Sequence, residues 1–125
     1  MYTTVWEGNG VWQHFYGSVT GQERLSGLSA MLDDAQIVEA RYIIIDFTGM
    51  TDIAIAESEM ETLLVLMNTT LASANPDVVL VYVVNGRPAQ AYLQRTLQIG
   101  PLRNMQRVCH TLAEARGWIA SQRGG

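Results

Sequence analysis

Lysine is absent: all eight non-histidine cations of the 125 residues are arginine, against twelve acids, for a net charge of −4. That balance lacks the clustered positive charge on which general binding to nucleic acid or anionic membranes depends. A single cysteine, Cys109, leaves no internal disulfide and no metal-ligand spacing, so its expected role is that of a small buried hydrophobe. Long apolar runs are also missing. The longest, Val78 to Val84, is far too short to cross a bilayer, and Met1-Tyr2-Thr3-Thr4-Val5 carries neither a basic start nor a signal core. The expectation is a soluble, cytoplasmic protein without stable membrane insertion. No P-loop, dinucleotide glycine motif, or Ser-His-Asp or Cys-His spacing occurs, and Gly8-x-Gly10 precedes a strand rather than a helix. His14 and His110 stand apart. The sequence therefore points to no catalytic residue, no metal and no cofactor.

What is present is ample material for one core: 48% of the residues are hydrophobic and only 16% charged, so residues 1–125 read as a single folded domain. The most telling stretch is Arg41-Tyr42-Ile43-Ile44-Ile45-Asp46-Phe47-Thr48-Gly49-Met50-Thr51-Asp52. A strand with no polar side is buried on both faces, as in parallel sheets covered by helices. In such sheets ligands and partners meet the loops at the carboxyl ends of the strands. Asp46 to Asp52 reads as one of those loops.

Val5-Trp6-Glu7-Gly8-Asn9-Gly10-Val11-Trp12 reads as a hairpin with a tight Gly-Asn turn. In its second strand Trp12, His14 and Tyr16 share one face and Val11, Gln13 and Phe15 the other. Capping boxes Thr20-x-x-Glu23, Ser58-x-x-Glu61 and Thr111-x-x-Glu114 mark three helix starts, and Pro88, at a first helical position, marks the fourth. Leu25, Leu28 and Leu32 line the first helix; Met60, Leu63, Leu64, Met67 and Leu71 line the second. Leu93 and Leu97 mark the third, ending at Gly100-Pro101, and Leu112, Ala115 and Ile119 the fourth, ending before Gly124. Tyr42 to Phe47, Val78 to Val84 and Met105 to Cys109 complete the strands. The predicted order is ββαβαβαβα, an α/β fold whose mixed sheet has an antiparallel hairpin, three parallel strands and helices on both faces.

That order, with Val5-Trp6-Glu7-Gly8, Ile45-Asp46-Phe47-Thr48-Gly49-Met50-Thr51-Asp52 and Thr111-Leu112-Ala113-Glu114-Ala115-Arg116-Gly117-Trp118-Ile119, resembles the SpoIIAA-like bacterial proteins. These are relatives of the STAS domain, also grouped with the lipid-binding Sec14 or CRAL-TRIO fold. The resemblance runs from about Thr4 to Ser121. It implies a non-enzymatic regulatory or protein-interaction module; the Sec14 side of the grouping implies, as an alternative, a binder of a small apolar or lipid-like ligand. In anti-sigma factor antagonists a loop carries an Asp-Ser-Ser-Gly-like motif whose second Ser is phosphorylated. Laid on this chain, that motif falls on Ala54, Ile55 and Ala56, so the acceptor is missing. Ser58, two residues on, is a weak substitute that already reads as a helix cap with Glu61 as its partner.

The candidate crevice consists of Asp46, Thr48 and Asp52 after one strand and Asn85 and Arg87 after the next, at the shared carboxyl end. Asp and Thr in such positions also hydrogen-bond the backbone of their own turn, which is the plainer reading. Arg87 is expected either to brace Asp46 or Asp52 or to meet an anionic partner group. Asp33 to Glu61 holds eight acids and one Arg, whereas Val78 to Ala113 holds four Arg and no acid. An ordinary solvated surface explains this; pairing with a protein partner, or with a second copy as a homodimer, is the alternative. Val65 and Leu66, off the apolar stripe of the second helix, are candidates for such an interface.

Overall fold

The computed structural model describes residues 1–122 of the chain. Its centre is the apolar run Tyr42–Asp46, strand β4, buried at every position. Around it lie β1 (Tyr2–Trp6), β2 (Gly10–Phe15), β6 (Val79–Val83) and β7 (Gln106–Cys109), in the order β1-β2-β4-β6-β7. The hairpin β1–β2 is antiparallel, and every other pair in this sheet is parallel. Gly8 supplies the positive φ its turn requires, while Asn9 keeps a negative one.

Helices cover both faces, unevenly. Ile43, Ile45 and Phe47 point into the larger core with Phe15, Leu80 and Tyr82. There α1 (Gly21–Asp33), α2 (Glu57–Leu66) and α4 (Arg87–Ile99) bury Leu28, Met60, Leu63 and Leu93. Tyr42, Ile44, Val81 and Val83 point the other way, where α5 (Leu112–Gln122) packs through Ala115. Burying side chains of this kind contributes about 1.5–3 kcal/mol apiece, which is why β4 tolerates no polar residue before its last position. Cys109 is fully buried, as expected. The buried Gln13 amide, facing the larger core, donates to the Gly27 carbonyl on α1 and to Thr4 Oγ1, each at 3.0 Å.

The structure adds elements that the predicted order lacks. After β2 and β4 end, the two segments pair again in parallel as β3 (Gly17–Thr20) and β5 (Met50–Ala54), a separate two-stranded sheet. Asp52 therefore lies on a strand and not in a loop. A 3₁₀ turn spans Ala35–Glu39, and α2 runs through a π turn at Met67–Leu71 into the short α3, Ala72–Ala74.

Helix starts correct the sequence reading in detail. At α1 the Thr20–Glu23 box is complete: Glu23 N–H donates to Thr20 Oγ1 at 3.1 Å and Thr20 N–H to Glu23 Oε1 at 3.0 Å. At α2 the expected Ser58 cap is absent. The helix begins earlier, at Glu57, with Ala56 as N-cap, and Glu59 Oε1 accepts the Ala56 N–H at 2.9 Å. The second Glu of a Glu-x-Glu-x-Glu run thus does what the third was expected to do, because the backbone is extended at Ala56 and already helical at Glu57, before Ser58 is reached. At α5 Thr111 caps Glu114 N–H, but the Glu114 carboxylate reaches His110 N–H rather than that of Thr111. Pro88 is the second residue of α4, not the first. The expected end of the last helix before Gly124 lies outside the described residues.

Candidate functional site

Because β2, β4 and β6 run in parallel, their carboxyl ends meet at one edge of the large sheet. A crevice of about 280 Å³ opens there between the strand ends and the start of α5. Trp12 and Leu112 give it an apolar floor; His14, Asp46, Thr48, Asn85 and His110 furnish the polar groups. Register explains the assembly. Trp12 lies opposite Ile44 and His14 opposite Asp46, so the alternate face of β2 that carries Trp12 and His14 also carries the last side chain of β4.

Asp46 is only 2% exposed and its oxygens are occupied. Oδ2 accepts the Trp12 indole N–H at 3.0 Å; Oδ1 accepts the Thr48 N–H at 2.9 Å and also the Thr48 hydroxyl. The carboxylate therefore closes its own turn and pins the indole. His14 Nε2 donates to the Thr48 carbonyl at 2.6 Å, which fixes that proton on Nε2. Its ring stacks on Trp12 at 5.6 Å between centroids and lies 5.1 Å from that of Tyr16. His110 directs Nδ1 at the Val84 carbonyl, 3.4 Å away. Among the described residues each imidazole meets a main-chain carbonyl rather than a carboxylate, an arrangement that suits holding a surface group. Among the described residues no group of three or more His, Cys, Asp and Glu side chains could hold a metal ion.

Asp46, Thr48 and Asn85 all line this crevice, whereas Asp52 and Arg87 do not. Asp52, on β5, is exposed and among the described residues accepts only the Thr51 hydroxyl, at 3.3 Å. Arg87 is exposed at the first turn of α4 and braces neither Asp46 nor Asp52; the ion pairs among the described residues do not include it. Asp52 lies in the middle of β5 and Arg87 at the first position of α4, and neither lines the crevice. The residues that sequence reasoning missed, Trp12, His14 and His110, carried a usable signal. Each is at or near the carboxyl end of a strand parallel to β4, but the alignment of β2 beside β4 was needed to see it.

A second feature adjoins this edge. Ala54, Ile55 and Ala56 lead from β5 into α2, and Ala56 is the N-cap, with no side chain able to bond the helix N–H groups. Glu59, which closes the Ala56 N–H, also approaches the start of α1 so closely that a Cβ on Gly21 would lie 2.3 Å from its carboxylate oxygen.

No protein-family model and no curated protein matches this chain. Among solved structures, that of the anti-sigma factor antagonist SpoIIAA in its unphosphorylated form is similar over the whole of both chains, with a TM-score of 0.57 at 16% sequence identity. The chain adopts the SpoIIAA fold. The expected α/β architecture, with a mixed sheet flanked by helices in the STAS-like manner, is therefore shared with SpoIIAA at low sequence identity. Identity of this order speaks for the fold and leaves the site to be argued from its own residues. No helix among the described residues is long and apolar enough to cross a membrane.

Proposed function

We propose that the chain is a non-enzymatic protein-interaction module of the SpoIIAA type that works without a serine switch. Its partner surface lies at the carboxyl edge of the large sheet, around Trp12, His14, Thr48 and Asn85. The observation that carries this reading is the start of α2. On the fold of an anti-sigma factor antagonist, the position that the resemblance gives to the acceptor serine is Ala56, an N-cap with no hydroxyl to receive a phosphoryl group. Glu59 already supplies negative charge at this helix N-terminus, where it is favoured, and Glu57 and Glu61 beside it oppose a further dianion. Such a module binds its partner constitutively.

The crevice supports the same reading. A fixed indole on an apolar floor, rimmed by hydrogen-bonding groups, has the make-up of an interaction hot spot. The occupied Asp46 carboxylate argues against acid–base work. Arg87, exposed nearby in the chain, remains available to an anionic partner group. The alternative of a lipid-like ligand rests only on the Sec14-like side of the resemblance, because Met60, Leu63, Met67 and Leu71 of the second helix are spent in the core.

Affinity purification from the native cell, with cross-linking mass spectrometry, tests the reading. The expected outcome is a stoichiometric protein partner cross-linked near the β4–β5 and β6–α4 connections. Asn85→Ala and Arg87→Ala together should weaken the complex about tenfold while the chain stays folded. Stoichiometric phosphate on Ser58 would overturn the absence of a switch, and an unchanged affinity in the double variant would remove this surface from the reading.

A further inference from the structure

At the opposite, amino-terminal edge of the large sheet lies a pocket of about 160 Å³ that the interaction reading does not use. Tyr42 and Val79, the first residues of β4 and β6, and Trp118 and Ile119 on α5 form its apolar walls; Asn9, Arg41 and Gln122 form its polar ones. Its frame is braced. Tyr42 donates its hydroxyl to Glu7 Oε1 at 2.7 Å, and the Arg116 guanidinium forks onto both oxygens of the same carboxylate at 3.0 and 2.7 Å. Hairpin, central strand and last helix are thereby tied together. The Tyr42 ring is also wedged against Gly10, where a Cβ would fall 2.4 Å from ring carbons. A wall fixed in this way costs little to order when a ligand enters.

Charge and size define what fits. Among the described residues no carboxylate lines the pocket, and the nearby Glu7 is already consumed by Arg116 and Tyr42. Arg41 uses only its backbone for structure, donating to the Asn9 carbonyl and accepting from Val79 N–H. Among the described residues its guanidinium has no ion-pair partner. Asn9 Oδ1 faces the Tyr42 hydroxyl, which leaves the amide N–H groups as donors. A second guanidinium, Arg107, lies 5.5 Å over the Trp118 ring. The local field is therefore positive in a chain that is acidic overall. As for size, a cavity of about 150 Å³ lined by apolar side chains is known to hold benzene, so the space suits a single six-membered ring.

We propose that this pocket binds a small carboxylate carrying one apolar ring, of the benzoate class. The ring enters between Tyr42, Val79, Trp118 and Ile119, and the carboxylate meets the Arg41 guanidinium, with the Asn9 amide as a further donor. The site lies at the other end of the strands from the proposed partner surface, so either can fail without the other.

Titration of the full chain with sodium benzoate, followed by two-dimensional NMR, reads this directly. A saturable shift centred on the Trp118 indole N–H and the Ile119 methyls is expected. Arg41→Ala, a change at an exposed side chain, should weaken benzoate about tenfold, as loss of a charge-assisted contact does. The neutral isostere benzamide should lose little in the same variant, and benzylamine should bind wild type more weakly than benzoate. The proposal is overturned by the absence of a saturable shift at Trp118, by shifts centred elsewhere, by equal benzoate affinity in Arg41→Ala, or by benzylamine binding as tightly as benzoate.

Discussion

Arg24 donates through Nε to the Tyr92 hydroxyl at 3.0 Å, across 68 residues of sequence, and does so with only 3% of its surface exposed and no carboxylate partner among the described residues. In place of a counter-ion it has aromatic faces: the guanidinium lies 4.8 Å from the Phe15 ring centroid and 5.4 Å from that of Phe47. A desolvated cation held by ring quadrupoles and one hydroxyl is an expensive way to fill this space. Arg24→Met, which keeps the stem and discards the charge, should therefore change stability by less than about 1 kcal/mol, whereas Arg24→Ala should cost about 2–4 kcal/mol in lost packing. Tyr92→Phe strands the Nε donor and should cost about 1–3 kcal/mol. Urea unfolding orders the three variants; a large loss in Arg24→Met would show the charge itself to be stabilising.

The Glu7–Arg116 pair predicts acid sensitivity. Hydrogen bonds from Arg116, and with less weight from Tyr42, hold the Glu7 carboxyl below its usual value of 4.5 in spite of partial burial. A depressed carboxylate contributes stability that is fully present above its unfolded value and is lost as pH falls through its folded one. The wild-type advantage over Glu7→Gln should thus be present at neutral pH and fade below pH ~4. With the Arg116 side chain 41% exposed, a double-mutant cycle should return a coupling of only about 0.5–1 kcal/mol. Thermal melts on either side of that range provide the check.

At the start of α2, stability should follow the observed cap and not Ser58. Ser58→Ala is expected to stay within about 0.5 kcal/mol of wild type, and Glu59→Ala to lose about 0.5–1 kcal/mol. Ala56→Ser places a hydroxyl on a backbone already extended as an N-cap requires, at φ −79° and ψ 154°, and should gain about 0.5–1 kcal/mol. Chemical denaturation of the three single variants distinguishes this from a Ser58 cap, which would reverse the order of the first two.

Asp46→Asn tests the crevice. One of the carboxylate oxygens becomes an amide that faces a donor, either the Trp12 indole N–H or the Thr48 N–H, and no rotation of the side chain relieves both. A loss of about 1–3 kcal/mol is expected, together with a changed environment for Trp12. Denaturant unfolding monitored by Trp fluorescence measures both; an unperturbed variant would mean that the turn does not depend on the carboxylate.

The fold was legible where apolar pattern and burial coincide. Tyr42 to Ile45 has no polar side and became the central strand; the Val78 to Val84 run became its neighbour, with ends one residue shorter. Gly17–Thr20 and Met50–Ala54 were not legible, because a short strand paired on one side only leaves an alternation too brief to separate from a turn. The same difficulty misplaced Asp52. The start of α2 was misread for another reason: Ser58-x-x-Glu61 satisfies the whole capping pattern, whereas the observed start uses only half of it, Glu59 closing on the Ala56 N–H with no hydroxyl at the N-cap. At the crevice, turn chemistry pointed to Asp46 and Thr48, but the residues that make it a site come from β2 and from the turn before α5. Their proximity depends on which strand lies beside which, and local sequence does not contain that.

The Gln13 amide, bonded at once to Thr4 on β1 and to the Gly27 carbonyl on α1, acts as an index mark between helix and sheet. Were α1 to slide along the strands by a turn, the amide hydrogen now given to Gly27 would lose its partner while the one on Thr4 kept its own, a penalty of about 1–3 kcal/mol that an all-leucine contact would not impose. Close approach sharpens the effect, since a Cβ at Gly27 would come within 3.0 Å of the amide nitrogen and 3.3 Å of the Phe15 and Tyr2 rings. Misaligned packings are thereby lifted above the native one, and the gain is uniqueness of shape more than depth of the energy minimum.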